Sequence, residues 1–291
     1  MSTHHSFKLA GVMGWPIAHS RSPTIHNYWI KQHGLNGAYV LLPTDPANLK
    51  DALTGLSALG FAGCNLTIPH KVMALALIDS MGGNVHASAR RIGAVNTIVV
   101  EADSTLSGFN TDGFGYIQSL IDAKPDWRAD AGPALVVGAG GAARAVVVSL
   151  AEQGAKDIRI CNRTDSHATD LAAEFAANFA ENLGSTITAI PWAQRHDAVA
   201  DVALLVNTTS QGMHSKPALD LNLSKLPVEA LVSDIVYVPL ETPLLAAAKA
   251  RGNPTAGGLG MLLHQARPAF KAWFGVMPEV TTELLAAVKG A

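Results

Sequence analysis

A lysine, a carboxylate, two amides and a pair of hydroxyls stand at the ends of apolar runs in this chain, and these types can move a proton and hold a small polar molecule. Lys71 ends Gly63-Cys64-Asn65-Leu66-Thr67-Ile68-Pro69-His70-Lys71, where an apolar run passes through a proline into a helical segment. A lysine opening a helix faces the unfavourable end of the macrodipole, so proton transfer accounts for it better than helix stabilisation does. A solvated lysine is the alternative. Asn110-Thr111-Asp112 and Gly93-Ala94-Val95-Asn96-Thr97 add a carboxylate and two amides, groups that recognise hydroxyls and orient an ammonium. Ser20 and Ser22, two residues apart in Gly14-Trp15-Pro16-Ile17-Ala18-His19-Ser20-Arg21-Ser22-Pro23, suit a small carboxylate, although serine before proline is also turn and N-cap chemistry.

A second constellation carries different chemistry. Val136-Val137-Gly138-Ala139-Gly140-Gly141-Ala142-Ala143-Arg144 sets a G-x-G-x-x-A turn between a buried-type strand and an Ala-rich helix, the context of a dinucleotide fingerprint. Gly138 suits the tight turn, Gly140 lets backbone approach a pyrophosphate, and Ala143 permits close helix–strand packing. About twenty residues further on, the next strand ends in Asn162-Arg163-Thr164. An arginine there pairs with a 2′-phosphate and favours NADP; Asp165 beside it leaves NAD as the weaker alternative.

Composition excludes other classes. A net charge of −2 with 15% charged residues offers no basic surface for nucleic acid. Apolar runs break well short of the roughly 20 residues a membrane span needs. The first residues, with His4 and His5, lack the pattern of a secretory leader. Cys64 and Cys161 are isolated, which argues against disulfides or a thiolate zinc site and for a reducing, cytoplasmic setting. His19, His26, His33, His70 and His264 lack metal-ligand spacing and are read as surface or loop residues, so no metal is expected.

The elements that position these residues form two α/β series. Strands at Leu9–Met13, Ala38–Leu42 and Gly63–Leu66 alternate with helices at Thr24–Gln32, Leu49–Leu59 and Val72–Ile78, followed by a strand at Asn96–Val100. Gly108–Gly113 reads as a polar loop opening a helix at Phe114–Ile121. A doubly wound parallel sheet then follows, with strands at Ala134–Val137, Asp157–Cys161, Thr186–Ala189, Leu204–Asn207 and Val232–Ile235, and helices at Ala142–Gln153 and Ser166–Ala180. Helices at Gly260–Trp273 and Glu279–Val288 are expected to return to the first sheet. The expected division is residues 1–111 plus 259–291 for substrate and 112–258, a Rossmann-type domain, for NADP, with the active site in the cleft between them.

The strings G-W-P-I-A-H-S-R-S-P, N-L-T-I-P-H-K, I-G-A-V-N-T, F-N-T-D-G, G-A-G-G-A-A-R, N-R-T, N-T-T-S-Q-G-M, D-I-V-Y-V-P-L-E-T-P-L-L and G-G-L-G-M-L-L-H-Q-A resemble the shikimate dehydrogenase family, in family order from residue 11 to 266. The resemblance implies reversible, NADP-dependent reduction of 3-dehydroshikimate to shikimate, a step of chorismate and aromatic amino-acid biosynthesis, by a monomer or homodimer. It implies Lys71 and Asp112 as the catalytic pair, Ser20 and Ser22 at the carboxylate, and Thr67, Asn96, Tyr237 and Gln265 as further substrate contacts, with Asn65 in the same loop. For the cofactor it implies Gly138, Ala139, Gly140, Gly141 and Ala142 at the phosphates, Asn162, Arg163 and Thr164 at the 2′-phosphate, and Thr208, Ser210, Met213, Gly258 and Met261 toward the nicotinamide. One departure is His167, where many NADP-using members carry a second basic residue; it implies weaker discrimination against NAD and binding that improves as pH falls through the histidine range. A quinate or aminoshikimate dehydrogenase of mixed NAD/NADP use, a folate-linked dehydrogenase and a non-catalytic dinucleotide sensor are the rivals. Lys71 with Asp112 argues against the sensor, and the Ser20/Ser22 loop against the folate enzyme.

Overall fold

A computed structural model describes residues 7–179 and 184–290, so His4, His5 and the expected helix end at Ala180 lie outside the described residues. Two compact units form, Met1–Thr111 with Leu263–Ala291, and Asp112–Leu262.

The first unit opens β1 (Lys8–Gly14), α1 (Ser22–Gln32), β2 (Gly37–Pro43), α2 (Leu49–Ala58), β3 (Phe61–Leu66) and α3 (Lys71–Ser80), then β4 (Asn84–Val85), α4 (Ala87–Ile92), β5 (Thr97–Val100) and β6 (Leu106–Phe109). Its sheet runs β2-β1-β3-β5-β6-β4, parallel around β1 and antiparallel where β5 pairs with β3 and β6. Helical spacing explains the packing: Leu49, Leu53 and Leu56 of α2 and Ala74 and Ile78 of α3 are buried against Leu66, Val95 and Ile98. The short strand–helix pair β4–α4 went unanticipated, and Gly108–Phe109, read as loop, belongs to β6; two- and four-residue strands show too little alternation to be recognised.

The second unit continues with α5 (Asp112–Ala123), β7 (Ala134–Val137), α6 (Gly141–Glu152), β8 (Asp157–Cys161), α7 (Asp165–Phe179), β9 (Thr186–Ile190), β10 (Leu204–Asn207), β11 (Leu231–Asp234), α8 (Pro243–Ala250) and β12 (Thr255–Gly257). Its sheet is parallel throughout, in the order β12-β11-β10-β7-β8-β9. The strands β7, β10 and β11 are wholly buried, as a sheet covered on both faces requires. Helix α5 starts at Asp112, two residues before the expected helix, which gives its first turn an acid suited to the positive end of the dipole.

The division between the units falls inside α9 (Gly258–Phe274), and α10 (Thr282–Lys289) follows it. The late part of the chain docks on the first unit: Trp273 Nε1 donates to Ile98 O at 2.9 Å, and Trp29 Nε1 donates to Glu279 O at 3.1 Å. No described helix is long and apolar enough to cross a membrane. Three of the histidines read as surface residues are instead buried: His26, His70 and His264. His26 sits among Trp29, Tyr39, Phe270 and Trp273, an aromatic environment that spacing alone did not announce.

Candidate active site

In the first unit the carboxyl ends of β1 and β3 are stitched together, since Thr67 N donates to Met13 O at 3.0 Å and Trp15 N donates to Ile68 O at 3.2 Å. These bonds set the Ser20/Ser22 loop beside the loop that leads to Lys71. Ser22 is the first residue of α1, ahead of Pro23, and its backbone N–H donates to Ser20 Oγ at 3.3 Å. The serine pair therefore makes a local turn and leaves the helix cap without a side-chain bond. Lys71 is half-buried, opens α3, and its carbonyl accepts from Val95 N at 2.8 Å, which ties the lysine to the segment before Asn96.

The same unit holds a buried, wholly neutral network. Asn65 Nδ2 donates to Asn96 O and to Thr97 Oγ1, both at 3.1 Å, and Tyr39 Oη donates to Asn65 Oδ1 at 2.7 Å. Thr97 Oγ1 donates to Asn96 Oδ1 at 2.9 Å, which also accepts from Thr111 N at 2.9 Å. Asn96 Nδ2 donates to Thr111 Oγ1 at 3.0 Å and lies 3.5 Å from Gln265 Oε1. Burial, with a smaller push from Cys64 and an opposing hydrogen bond from Ser22, raises the Tyr39 phenol well above its ordinary range, so it remains a donor. The residue after Thr111 is Asp112, itself buried. Tyr39 and Thr97 were not singled out in the sequence; their signal was only a strand position next to a polar end.

In the second unit Gly138 has φ +118°, and a Cβ there would lie 2.4 Å from Thr208 Oγ1, whose hydroxyl donates to Val137 O at 2.8 Å. The turn after β7 and the loop after β10 thus interlock. Gly140 is the N-cap of α6 with no side-chain cap, and the space where its side chain would stand is open, so the first amides of a twelve-residue helix face an approach that a phosphate can use. Arg163 is exposed just past β8 and forms no ion pair with a described residue, whereas Asp165 Oδ1 accepts from Trp192 N at 2.7 Å. Asn162 Nδ2 turns to Thr164 O at 2.9 Å and closes the strand-end turn. These residues fit an adenosine carrying a 2′-phosphate.

The loop after β10 is anchored by a group that sequence reasoning missed. Asp234 is buried at the end of β11; its Oδ1 accepts from Asn207 Nδ2 and Val236 N, both at 3.0 Å, and its Oδ2 accepts from Thr242 Oγ1 at 2.7 Å. Asn207 Oδ1 in turn accepts from Thr209 N at 3.0 Å and Thr209 Oγ1 at 2.7 Å, and Asn207 Nδ2 donates to Gln211 O at 3.1 Å. Burial raises the carboxyl pKa, with the bonds from Thr242, Val236 and Asn207 opposing it. Of the expected nicotinamide-side residues, Thr208, Gly258 and Met261 are buried, Met213 is half-buried and Ser210 is exposed, while Tyr237, expected at the substrate, is half-buried.

A doubly wound parallel sheet with this glycine turn, preceded by a second α/β unit carrying a lysine and a polar cluster, defines a two-domain nucleotide-dependent oxidoreductase fold. The chain matches the family descriptions "Shikimate dehydrogenase substrate binding domain" over residues 12–98, "Shikimate / quinate 5-dehydrogenase" over 124–211 and "Shikimate 5'-dehydrogenase C-terminal domain" over 258–282. It is 53% identical over 283 residues to the shikimate dehydrogenase (NADP(+)) of Rhodospirillum rubrum, covering 97% of each chain. Among solved structures it is similar to the shikimate 5-dehydrogenase of Thermus thermophilus in complex with NADP(H) and shikimate, at TM-score 0.83 and 36% identity, covering 97% of this chain and 99% of that one. It is also similar to the quinate dehydrogenase of Corynebacterium glutamicum in complex with NAD, at TM-score 0.87 and 30% identity, covering 98% and 99%. The chain belongs to the shikimate dehydrogenase family.

Proposed function

We propose that the protein catalyses the reversible NADP-dependent reduction of 3-dehydroshikimate to shikimate, with residues 1–111 and 259–291 holding the ring and 112–258 holding the cofactor. The observation that carries the residue assignment is Lys71 at the head of α3, tied through its carbonyl to the segment that ends in the buried Asn96 network. Bound NADPH supplies the hydride to the carbonyl carbon. The Lys71 ammonium gives a proton to the carbonyl oxygen and takes it back in the reverse direction, while Asp112 orients that ammonium and a ring hydroxyl. Ser20 and Ser22 receive the carboxylate, and Thr67, Asn96, Tyr237 and Gln265 bond the ring substituents, so that an analogue lacking a hydroxyl leaves buried groups unpaired. Gly138 to Ala142 take the phosphates and Asn162, Arg163 and Thr164 the 2′-phosphate; Thr208, Ser210, Met213, Gly258 and Met261 line the nicotinamide. Engagement of Asp165 by Trp192 supports NADP over NAD. Two buried, free thiols suit a cytoplasmic setting, where the protein acts as a monomer or homodimer.

Initial rates of shikimate and quinate oxidation, each with NADP and with NAD, test the assignment. Turnover confined to shikimate with NADP is expected, and preferential turnover of quinate or NAD overturns it. Lys71→Ala is expected to lower kcat by roughly 10²–10⁴-fold, with a much smaller change in KM for shikimate. A change in KM alone demotes Lys71 to a binding role.

A further inference from the structure

Asn65 occupies the loop that leads to Lys71, yet the structure commits its side chain to the protein. It is 5% exposed, and both of its amide hydrogens are used, one on Asn96 O and one on Thr97 Oγ1. Its orientation is forced, because the Asn96 carbonyl can only accept and so requires the Asn65 nitrogen on its side. The Asn65 oxygen then faces Tyr39, whose hydroxyl must donate. The same logic propagates. Thr97 Oγ1 accepts from Asn65, so its own hydrogen goes to Asn96 Oδ1, and Thr111 N donates to that oxygen as well. With its oxygen so fixed, Asn96 turns its nitrogen toward Thr111 Oγ1 and Gln265 Oε1. The head of this chain is held by packing: the Tyr39 ring stacks on His26 with centroids 4.0 Å apart and planes 4° apart, and His26 is fully buried with neither ring nitrogen hydrogen-bonded to a described residue. Such a histidine cannot be there for its polarity; what it contributes is a flat surface that aims the phenol.

We propose that Asn65 is a positioning residue rather than a substrate ligand: held by the Tyr39 hydroxyl, which the stack on His26 aims, it keeps the Thr97 hydroxyl on Asn96 Oδ1 and so holds the Asn96 amide in the sense that the Thr111 N–H fixes. The proposal rests on the reading that Asn96 and Gln265 bond the substrate ring. It assigns no direct substrate contact to Tyr39, Asn65 or Thr97, and the donor–acceptor sense of the chain is set by two main-chain groups, the Asn96 carbonyl and the Thr111 N–H.

The test compares Tyr39→Phe, Thr97→Val and Thr97→Ser, alone and with the first two combined, in the full chain. Tyr39→Phe keeps the stacked ring and Thr97→Val keeps the shape, so both are expected to fold, as thermal melting checks. Each is expected to lower kcat/KM for shikimate about ten-fold, the effect of a hydrogen bond whose loss leaves a buried partner unpaired, while KM for NADP stays within about two-fold. Thr97→Ser, which retains the hydroxyl, recovers most of the loss. The double variant loses about as much as either single one, because both break the same chain. Wild-type kcat/KM in Tyr39→Phe, multiplying losses in the double variant, or a Thr97→Ser no better than Thr97→Val overturns the proposal. Failure of wild-type enzyme to oxidise shikimate or quinate would instead sink the functional reading. The relay is still read in that case by the Asn96 side-chain amide resonances, which move in Tyr39→Phe if it exists and stay put if it does not.

Discussion

Both units bury hydrogen-bonded side chains beside the carboxyl ends of their strands, but the first builds from neutral amides and hydroxyls while the second builds around a carboxylate. The neutral network passes one sense of donation from Tyr39 to Asn96 and on to Thr111. The carboxylate network is radial: Asp234 gathers Asn207, Val236 and Thr242 onto one group and thereby pins the loop of residues 207–211. A chain of neutral groups costs little to bury and is indifferent to pH, whereas a buried carboxylate accepts several strong bonds at the expense of desolvation. The first arrangement suits discrimination among hydroxyls, and the second suits holding a loop in one place.

The largest effect that separates the two is expected from Asp234→Ala. It strands the Asn207 amide, the Thr242 hydroxyl and the Val236 N–H in a buried site, at a cost of about 3 kcal/mol, with KM for NADP rising more than KM for shikimate. Chemical denaturation and cofactor titration check this. A loss confined to shikimate binding would show that the carboxylate does not serve the cofactor loop.

The pH responses of the two regions should have opposite signs. Burial lowers His26 to about 3 from an ordinary 6.5, so below pH 6.5 only the unfolded chain takes up the proton. Stability from this group is therefore whole at neutral pH and falls with acid, by about 2 kcal/mol at pH 5. His26→Phe, which keeps a flat ring against Tyr39, should lack that slope in melting curves taken from pH 7.5 to 5; parallel curves would refute it. Asp234 behaves conversely. Its raised pKa makes stability fullest below the ordinary carboxyl value and drains it as pH rises through the folded value. Asp234→Asn retains an oxygen for Asn207 and Val236 and, with the Thr242 hydroxyl turned to accept, should gain on the wild type from pH 4 to 7 by a smaller margin. A constant difference across that range would mean the carboxyl does not titrate there.

What the sequence disclosed follows the same division. β7, α6 and β8 were legible because a buried β-branched run, a glycine turn and an Ala-rich helix stand in unbroken succession. Helix α8 is not legible in the sequence, although Thr242 as N-cap with Pro243 behind it is a helix start, because Pro243–Ala250 makes barely two turns and its run of alanines shows little apolar period. At the sites, Lys71 and Asp112 announce themselves by charge at element ends. Tyr39, Thr97 and Asp234 do not, since each looks like an ordinary strand residue until the neighbouring strand supplies its partner. The burial of His26 was equally hidden: two of its ring neighbours, Phe270 and Trp273, lie more than two hundred residues away along the chain.

The smallest expected effect concerns the open rim of the cofactor unit rather than its buried knot. Arg163 and His167 are both exposed, at the end of β8 and in the first turn of α7, so whatever they add to 2′-phosphate binding is weakened by solvent and salt. A guanidinium at position 167 supplies a permanent charge and a bidentate fork that an imidazole lacks. His167→Arg is therefore expected to lower KM for NADP by about two- to five-fold at pH 8 in low salt, to leave KM for NAD unchanged, and to lose most of that advantage in 0.5 M salt. Equal improvement with NAD would mean that the new charge acts on the pyrophosphate common to both cofactors, and the selectivity of this site would then rest on Arg163 alone.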